Sequence, residues 1–261
     1  MNRYQFNEEG HMHTLDEKPL IGTSTVVGII SKPLSYWASG MAVGTLGWTA
    51  TKSDPQMRLE VAQIALETIK TLNPKEWLKR LDLAYKAHAT RLKDSATAGT
   101  DLHASLEDWV KACIDYYSGV PTLTSEEDRL TPFRKWCVEH VETFLYSEAH
   151  CYSETFWVGG IFDCLAKMKD GKIALFDFKS SKEAYFGQFV QMGGYAVEVE
   201  ENGILDSEGN KLGEAKIDML YVVPFGAEDV TPRPHYDVDG MKGMFVNAAN
   251  LYKGQNMFDV K

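Results

Sequence analysis

The stretch from Phe156 to Lys179 constrains this chain more than any other. Two runs rich in β-forming residues, Phe156 to Met168 and Lys172 to Lys179, are separated by Lys169-Asp170-Gly171. A three-residue loop ending in glycine, where a left-handed backbone is needed, joins antiparallel strands. That loop pairs Met168 with Lys172, and counting outward sets Asp163 opposite Asp177. Lys179 shares their face, because strand side chains repeat every two residues. Two carboxylates opposed across a ladder repel each other. A divalent cation between them removes that penalty.

Hard cations such as Mg2+ take oxygen ligands, commonly one or two carboxylates with waters and phosphate oxygens. Asp163, Asp177 and the backbone carbonyl of Phe178 supply such ligands here. Lys179 supplies an ammonium to orient or deprotonate a water and to offset charge building on a phosphate. A D-x-K triplet alone reads as a surface salt bridge. The neighbouring segments separate the two readings. A strand Gly160-Ile161-Phe162-Asp163 comes first, then Asp177-Phe178-Lys179, then a helical stretch Gln191-Met192-Gly193-Gly194-Tyr195.

In that order these segments resemble the core of the PD-(D/E)XK nuclease superfamily, in its RecB-like and phage-exonuclease branch. The resemblance extends to Gly99-Thr100-Asp101-Leu102-His103-Ala104-Ser105-Leu106-Glu107, similar to that branch's G-T-x-x-H-x-x-x-E motif, whose histidine completes the metal shell. A looser likeness covers Thr23 to Trp37. The resemblance implies an α/β fold with a mixed central β-sheet flanked by helices, restriction-endonuclease-like, with an N-terminal, mainly helical extension. It implies a Mg2+- or Mn2+-dependent DNA exonuclease, with His103, Asp163, Asp177 and the Phe178 carbonyl on the metal. Lys179 then assists the water, Gln191 and Tyr195 steady the scissile phosphate or the lysine, and Glu107 and Glu154 stand behind the ligands. DNA is the implied partner, with a single-strand annealing or recombination protein as a further one, and a homo-oligomer is compatible with the likeness. It leaves open a structure-specific endonuclease and a catalytically silent nucleic-acid-binding or assembly module.

Composition sets the outer bounds. The chain has 261 residues, 44% hydrophobic and 25% charged, as in ordinary globular proteins. Its net charge of −10 counts against broad adhesion to nucleic acid unless the bases line one surface. Cys113, Cys137, Cys151 and Cys164 form no C-x-x-C pair, which argues against zinc, an iron–sulfur cluster or a disulfide framework. The first twenty residues lack the apolar core of a signal peptide and no run reaches membrane-spanning length. A cytoplasmic protein, of a bacterium or a phage-infected host, is the expectation.

The rest of the chain reads as one domain over 1–261, divided into strands and helices over 1–100, a catalytic core over 101–225 and a C-terminal helix over 226–261. Tyr4 to Leu15 and Ile21 to Ile30 read as extended. Alternating His11 and His13 read as unliganded. Helices are expected over Pro55 to Leu72, Lys75 to Lys93, Leu102 to Tyr117 and Thr131 to Tyr146, with Ser95 to Thr100 as a turn and Gly119 to Thr131 as a loop. Arg80, Lys86, Arg91 and Lys93 read as a solvated helix face or as phosphate contacts. Another helix is expected from Glu183 to Val199, a small hairpin around Ser207 to Asn210, a strand from Lys216 to Pro224, and a last helix from Asp237 to Tyr252.

Overall fold

In the computed structural model the described residues are 2–30, 35–48, 55–116, 119–121, 130–226 and 230–256. The chain divides into two compact units, 1–31 with 101–261, and 32–100. The N-terminal strands therefore belong with the core.

The larger unit opens with three short strands, β1 (Tyr4–Asn7), β2 (Met12–Leu15) and β3 (Lys18–Pro19), which form a small antiparallel sheet. Next come β4 (Ile21–Gly22), α1 (Thr23–Val27) and a 3-10 turn (Gly28–Ile30). The extended expectation for Ile21 to Ile30 fails beyond Gly22. Thr23 donates its hydroxyl to buried Glu198 at 2.5 Å, and Val26 and Val27 are buried, so tertiary contacts override the β propensity of this run.

In the smaller unit, α2 (Ser35–Thr45) and α3 (Pro55–Lys70) precede the start of α4 (Pro74–Tyr116). Arg80 ties α4 to α2 through the Thr45 carbonyl at 3.2 Å, and the Arg58 guanidinium lies 5.6 Å over the Trp48 ring. The turn expected at Ser95 to Thr100 is not formed. The backbone of α4 is helical over all 43 residues, since serine, alanine and threonine are tolerated and Gly99 costs only about 1 kcal/mol. Most of the expected loop from Gly119 to Thr131 lies outside the described residues.

The core resumes with α5 (Thr131–His140), β5 (Val141–Ser153), β6 (Val158–Met168), β7 (Ile173–Lys179) and α6 (Phe186–Asn202). It ends with β8 (Ile204–Leu205), β9 (Lys211–Gly213), β10 (Met219–Pro224), β11 (Arg233–His235) and α7 (Val238–Asn256). The helix expected through Tyr146 stops at His140. From Val141 onward the chain pairs with β6, because burying Val141 and Phe144 in a sheet satisfies their backbone as well as their side chains.

The mixed sheet runs β11-β10-β7-β6-β5-β8-β9, with β4 parallel to β6 and β10 parallel to β7. Helical layers cover both faces. Leu165, Leu175, Leu220 and Val222 join α1, α6 and α7 in one core. Their alternates Cys164, Ala166, Phe176 and Tyr221 join α5 and the C-terminal turns of α4 in the other. The β6–β7 hairpin forms in the expected register, with Leu165 opposite Leu175 and Gly171 at φ +86°.

Candidate metal centre

Alternation along β6 breaks at Asp163. Phe162 packs in one core and Cys164 in the other, although residues two positions apart on a regular strand share a face. Pairing with β7 ends at Cys164–Phe176, so the ladder contact expected between Asp163 and Asp177 is not made. The Asp163 side chain takes that place and accepts the Phe178 N–H on Oδ2 at 2.5 Å. Phe178 thus meets Asp163 through its amide hydrogen.

His103, from the stretch of α4 that packs beside β7, places Nε2 3.1 Å from the same Asp163 oxygen. Its other ring nitrogen lies 3.8 Å from Glu148 on β5. One ligand atom from each of His103, Glu148 and Asp163 lies within 4.8 Å of the others. Glu148 faces Asp163 because its neighbours pair as Ser147–Cys164 and Ala149–Phe162, and its φ of +49° bends β5 at this point. A glutamate in that conformation costs of order 1–3 kcal/mol and is held only by its surroundings.

Asp177 is buried and receives Lys179 Nζ on Oδ1 at 2.8 Å, while its Oδ2 is buried without a hydrogen-bond partner. Burial pushes the Asp177 carboxyl up to about 6, with Lys179 opposing and Asp163 adding to the rise. Burial likewise pushes Glu148 up to about 7, and the Asp163 charge adds to it. The hydrogen bond to Asp163 raises His103. For Lys179, desolvation pulls the ammonium down, but Asp177 and Asp163 outweigh it and the group stays raised.

On α6, Gln191 donates to the Tyr195 hydroxyl at 2.8 Å. The Tyr195 ring lies against Gly160, where an added Cβ would come within 2.5 Å of it. Tyr195 also lines a cavity of about 290 Å³ with Gly159, Ile161 and the start of α1. The tandem glycines of α6 do not face the sheet: Gly193 abuts the Met241 backbone of α7, and Gly194 abuts the Phe245 ring and Thr23.

Of the two expected supporting acids, one sits elsewhere. Glu154 lies in the turn after β5 and pairs with Arg3 at 2.9 Å, away from the cluster. Glu107 pairs with Lys111 one turn along α4, and its charge reaches Glu148. Glu148 was not anticipated, because the sequence around it was read as the end of a helix. The signal that finds it is Ser153-Glu154-Thr155-Phe156-Trp157: once read as a turn between two strands, it sets residue 148 across from 163. The four cysteines are buried and free. Of the expected histidine pair, His13 is buried and bonded to Tyr4 at 2.6 Å.

The residues fit a hard divalent cation on the chemistry of the donors, one imidazole with several carboxylates, and on the unpartnered Asp177 oxygen. None of the described helices is long and apolar enough to cross a membrane. No family model matches this chain, and no curated protein matches its sequence.

Proposed function

We propose that this centre hydrolyses phosphodiester bonds and that the chain is a Mg2+- or Mn2+-dependent deoxyribonuclease built on a restriction-endonuclease-like core. One observation carries the reading: His103, Glu148 and Asp163, from three separate elements, bring ligand atoms within 4.8 Å of one another. The D-x-K residues Asp177 and Lys179, joined at 2.8 Å, stand on the next strand. A structural salt bridge accounts for one pair of charges. It leaves the carboxylates of Glu148 and Asp163 and the imidazole of His103, each perturbed by or perturbing the others, gathered around one point.

His103, Glu148 and Asp163 would hold the ion, with Asp177 offering its unpartnered oxygen. When bound, the ion supplies Lewis acidity and a more acidic water. Lys179 directs its ammonium toward the oxygens on which charge builds, and Asp177 fixes its direction. Gln191 orients the Tyr195 hydroxyl, leaving its hydrogen to donate to a phosphate oxygen. Exonuclease action in DNA end processing or recombination rests on the resemblance of the motifs and is the form we favour.

End-labelled linear DNA and closed circular DNA, each with Mg2+, Mn2+ or EDTA, test the proposal. Wild type is expected to shorten the linear substrate only with metal, and Asp163→Asn and Lys179→Gln to lose at least about a hundredfold in rate. Cleavage in EDTA, or equal cleavage by both variants, overturns it. Cutting of the closed circle assigns an endonuclease, and binding without cleavage assigns the silent module.

A further inference from the structure

The acidity of the chain is not evenly spread. Residues 32–100, the smaller unit, hold 10 Lys and Arg against 6 Asp and Glu, a net charge of +4. The remainder holds 17 against 31, a net charge of −14. In the larger unit several described lysines sit on a carboxylate of their own: Lys111 on Glu107, Lys167 on Glu142, Lys211 on Glu214 and Lys242 on Glu200.

In the smaller unit, α4 is arranged otherwise. Lys75, Lys79 and Lys86 are exposed, and at about 100° per residue they fall within about 40° of one another on the helix. Among the described residues none of the three makes an ion pair, although Asp82 lies one turn before Lys86. They span about 16 Å of helix axis. The sequence spacing repeats once more at Lys93. Along one flank of this stripe, also seven residues apart, stand Leu78, 59% exposed, and Tyr85, 80% exposed.

Three unneutralised ammonium groups in a row favour a chain of regularly spaced negative charges. An exposed aromatic ring and a leucine beside them add a surface for flat apolar groups. A strand of unpaired nucleotides offers both, phosphates on one side and bases on the other. Duplex DNA keeps its bases stacked inside and has no use for the apolar flank. An acidic peptide meets the lysines but not the flat surface.

We propose that α4 of the smaller unit binds single-stranded nucleic acid, its phosphates along Lys75, Lys79 and Lys86 and its bases against Leu78 and Tyr85. This deepens the nuclease reading and rests on it for the choice of DNA, by naming the strand form that the enzyme holds.

The experiment is fluorescence anisotropy with fluorescein-labelled single-stranded and duplex DNA of about 20 nucleotides, in EDTA so that nothing is cut. The full-length chain is compared with a triple variant, Lys75→Glu, Lys79→Glu and Lys86→Glu. A charge-matched control carries Lys18→Glu, Lys169→Glu and Lys172→Glu. The expected result is tighter binding of the single strand than of the duplex, and a Kd for it at least about tenfold higher in the triple variant. The slope of log Kd against log salt should be shallower by about 2, and the control should stay close to wild type. Tyr85→Ala should weaken the single strand several-fold and leave the duplex unchanged. A Kd that the triple variant leaves alone, equal losses in the control, or a preference for duplex overturns the proposal. The lysines are exposed, so circular dichroism should show the triple variant folded, and lysine-to-glutamine versions give the same test with milder changes. Lysine-dependent binding by a chain that cleaves nothing removes the nuclease reading alone. Metal-dependent cleavage with lysine-independent binding removes this inference alone.

Discussion

The carboxylate of Asp163 accepts the backbone N–H of Phe178 at 2.5 Å, filling the place where a ladder bond between β6 and β7 would otherwise continue. That side chain therefore closes the sheet and faces the imidazole of His103 at once. Substitutions at 163 separate the two roles. Asp163→Asn keeps an oxygen for the amide and removes the charge, so cleavage should fall at least about a hundredfold with a small change in Tm. Asp163→Ala should also lower stability, by about 1–3 kcal/mol, because the Phe178 N–H is left without its partner. Denaturant titration beside the cleavage assay checks this, and equal stability of the two variants would remove the structural role.

Metal should stabilise the fold by mass action. With Mn2+ or Mg2+ at about 100 times its dissociation constant, the gain is about 2.7 kcal/mol, several degrees in Tm. Glu148→Gln and His103→Ala should each cut that gain sharply, whereas Glu154→Gln, at the Arg3 ion pair, should keep it. A thermal shift assay with and without chelator is the measurement. An unchanged Tm in wild type at millimolar metal would count against the centre.

Tight glycine contacts hold α6 against its neighbours. A Cβ at Gly193 would come within 2.5 Å of the Met241 backbone, which has no rotamer to yield. Gly193→Ala should cost roughly 1–3 kcal/mol despite the better helix propensity of alanine. Gly160→Ala meets the Tyr195 ring instead and should shift it, lowering activity along with stability. Urea midpoints for the two variants, read with their cleavage rates, test the pair. A stabilised Gly193→Ala would contradict the packing.

The Glu198 carboxyl, fully buried between Thr23 and Cys151, is pushed up to about 8 by desolvation, which the hydrogen bonds from those two groups only partly oppose. From the ordinary glutamate range to about 8 the native state holds a proton that the unfolded chain has released. Stability at this site therefore falls as pH rises through that window and levels off above it. Glu198→Gln, neutral throughout, should flatten the dependence and exceed wild type in Tm at pH 8.5. Thermal melts from pH 5 to 9 give the comparison, and parallel profiles would dismiss the buried acid as the cause.

Local chemistry fixed a good part of this molecule in advance. Lys169-Asp170-Gly171 is a turn whatever surrounds it, because only its glycine reaches the left-handed backbone without cost, and the register of β6 and β7 follows. The periodic helices α3 and α6, the exposed hairpin near Gly209 and the strand β10 follow from pattern in the same way. His103, Asp163, Asp177 and Lys179 were legible because short motifs keep their chemistry within a few residues. Other features depended on contacts between distant residues. The V-V-G-I-I run becomes helical because Thr23 meets Glu198, and Val141 leaves the helix because β6 offers it a partner. Glu148 reaches the centre only through the pairing of two strands and a bend in one of them. The physical reason is range: turn geometry and side-chain period act within a few residues. The choice of helix or strand for an apolar run, and the company a carboxylate keeps, are set by burial against partners far along the chain.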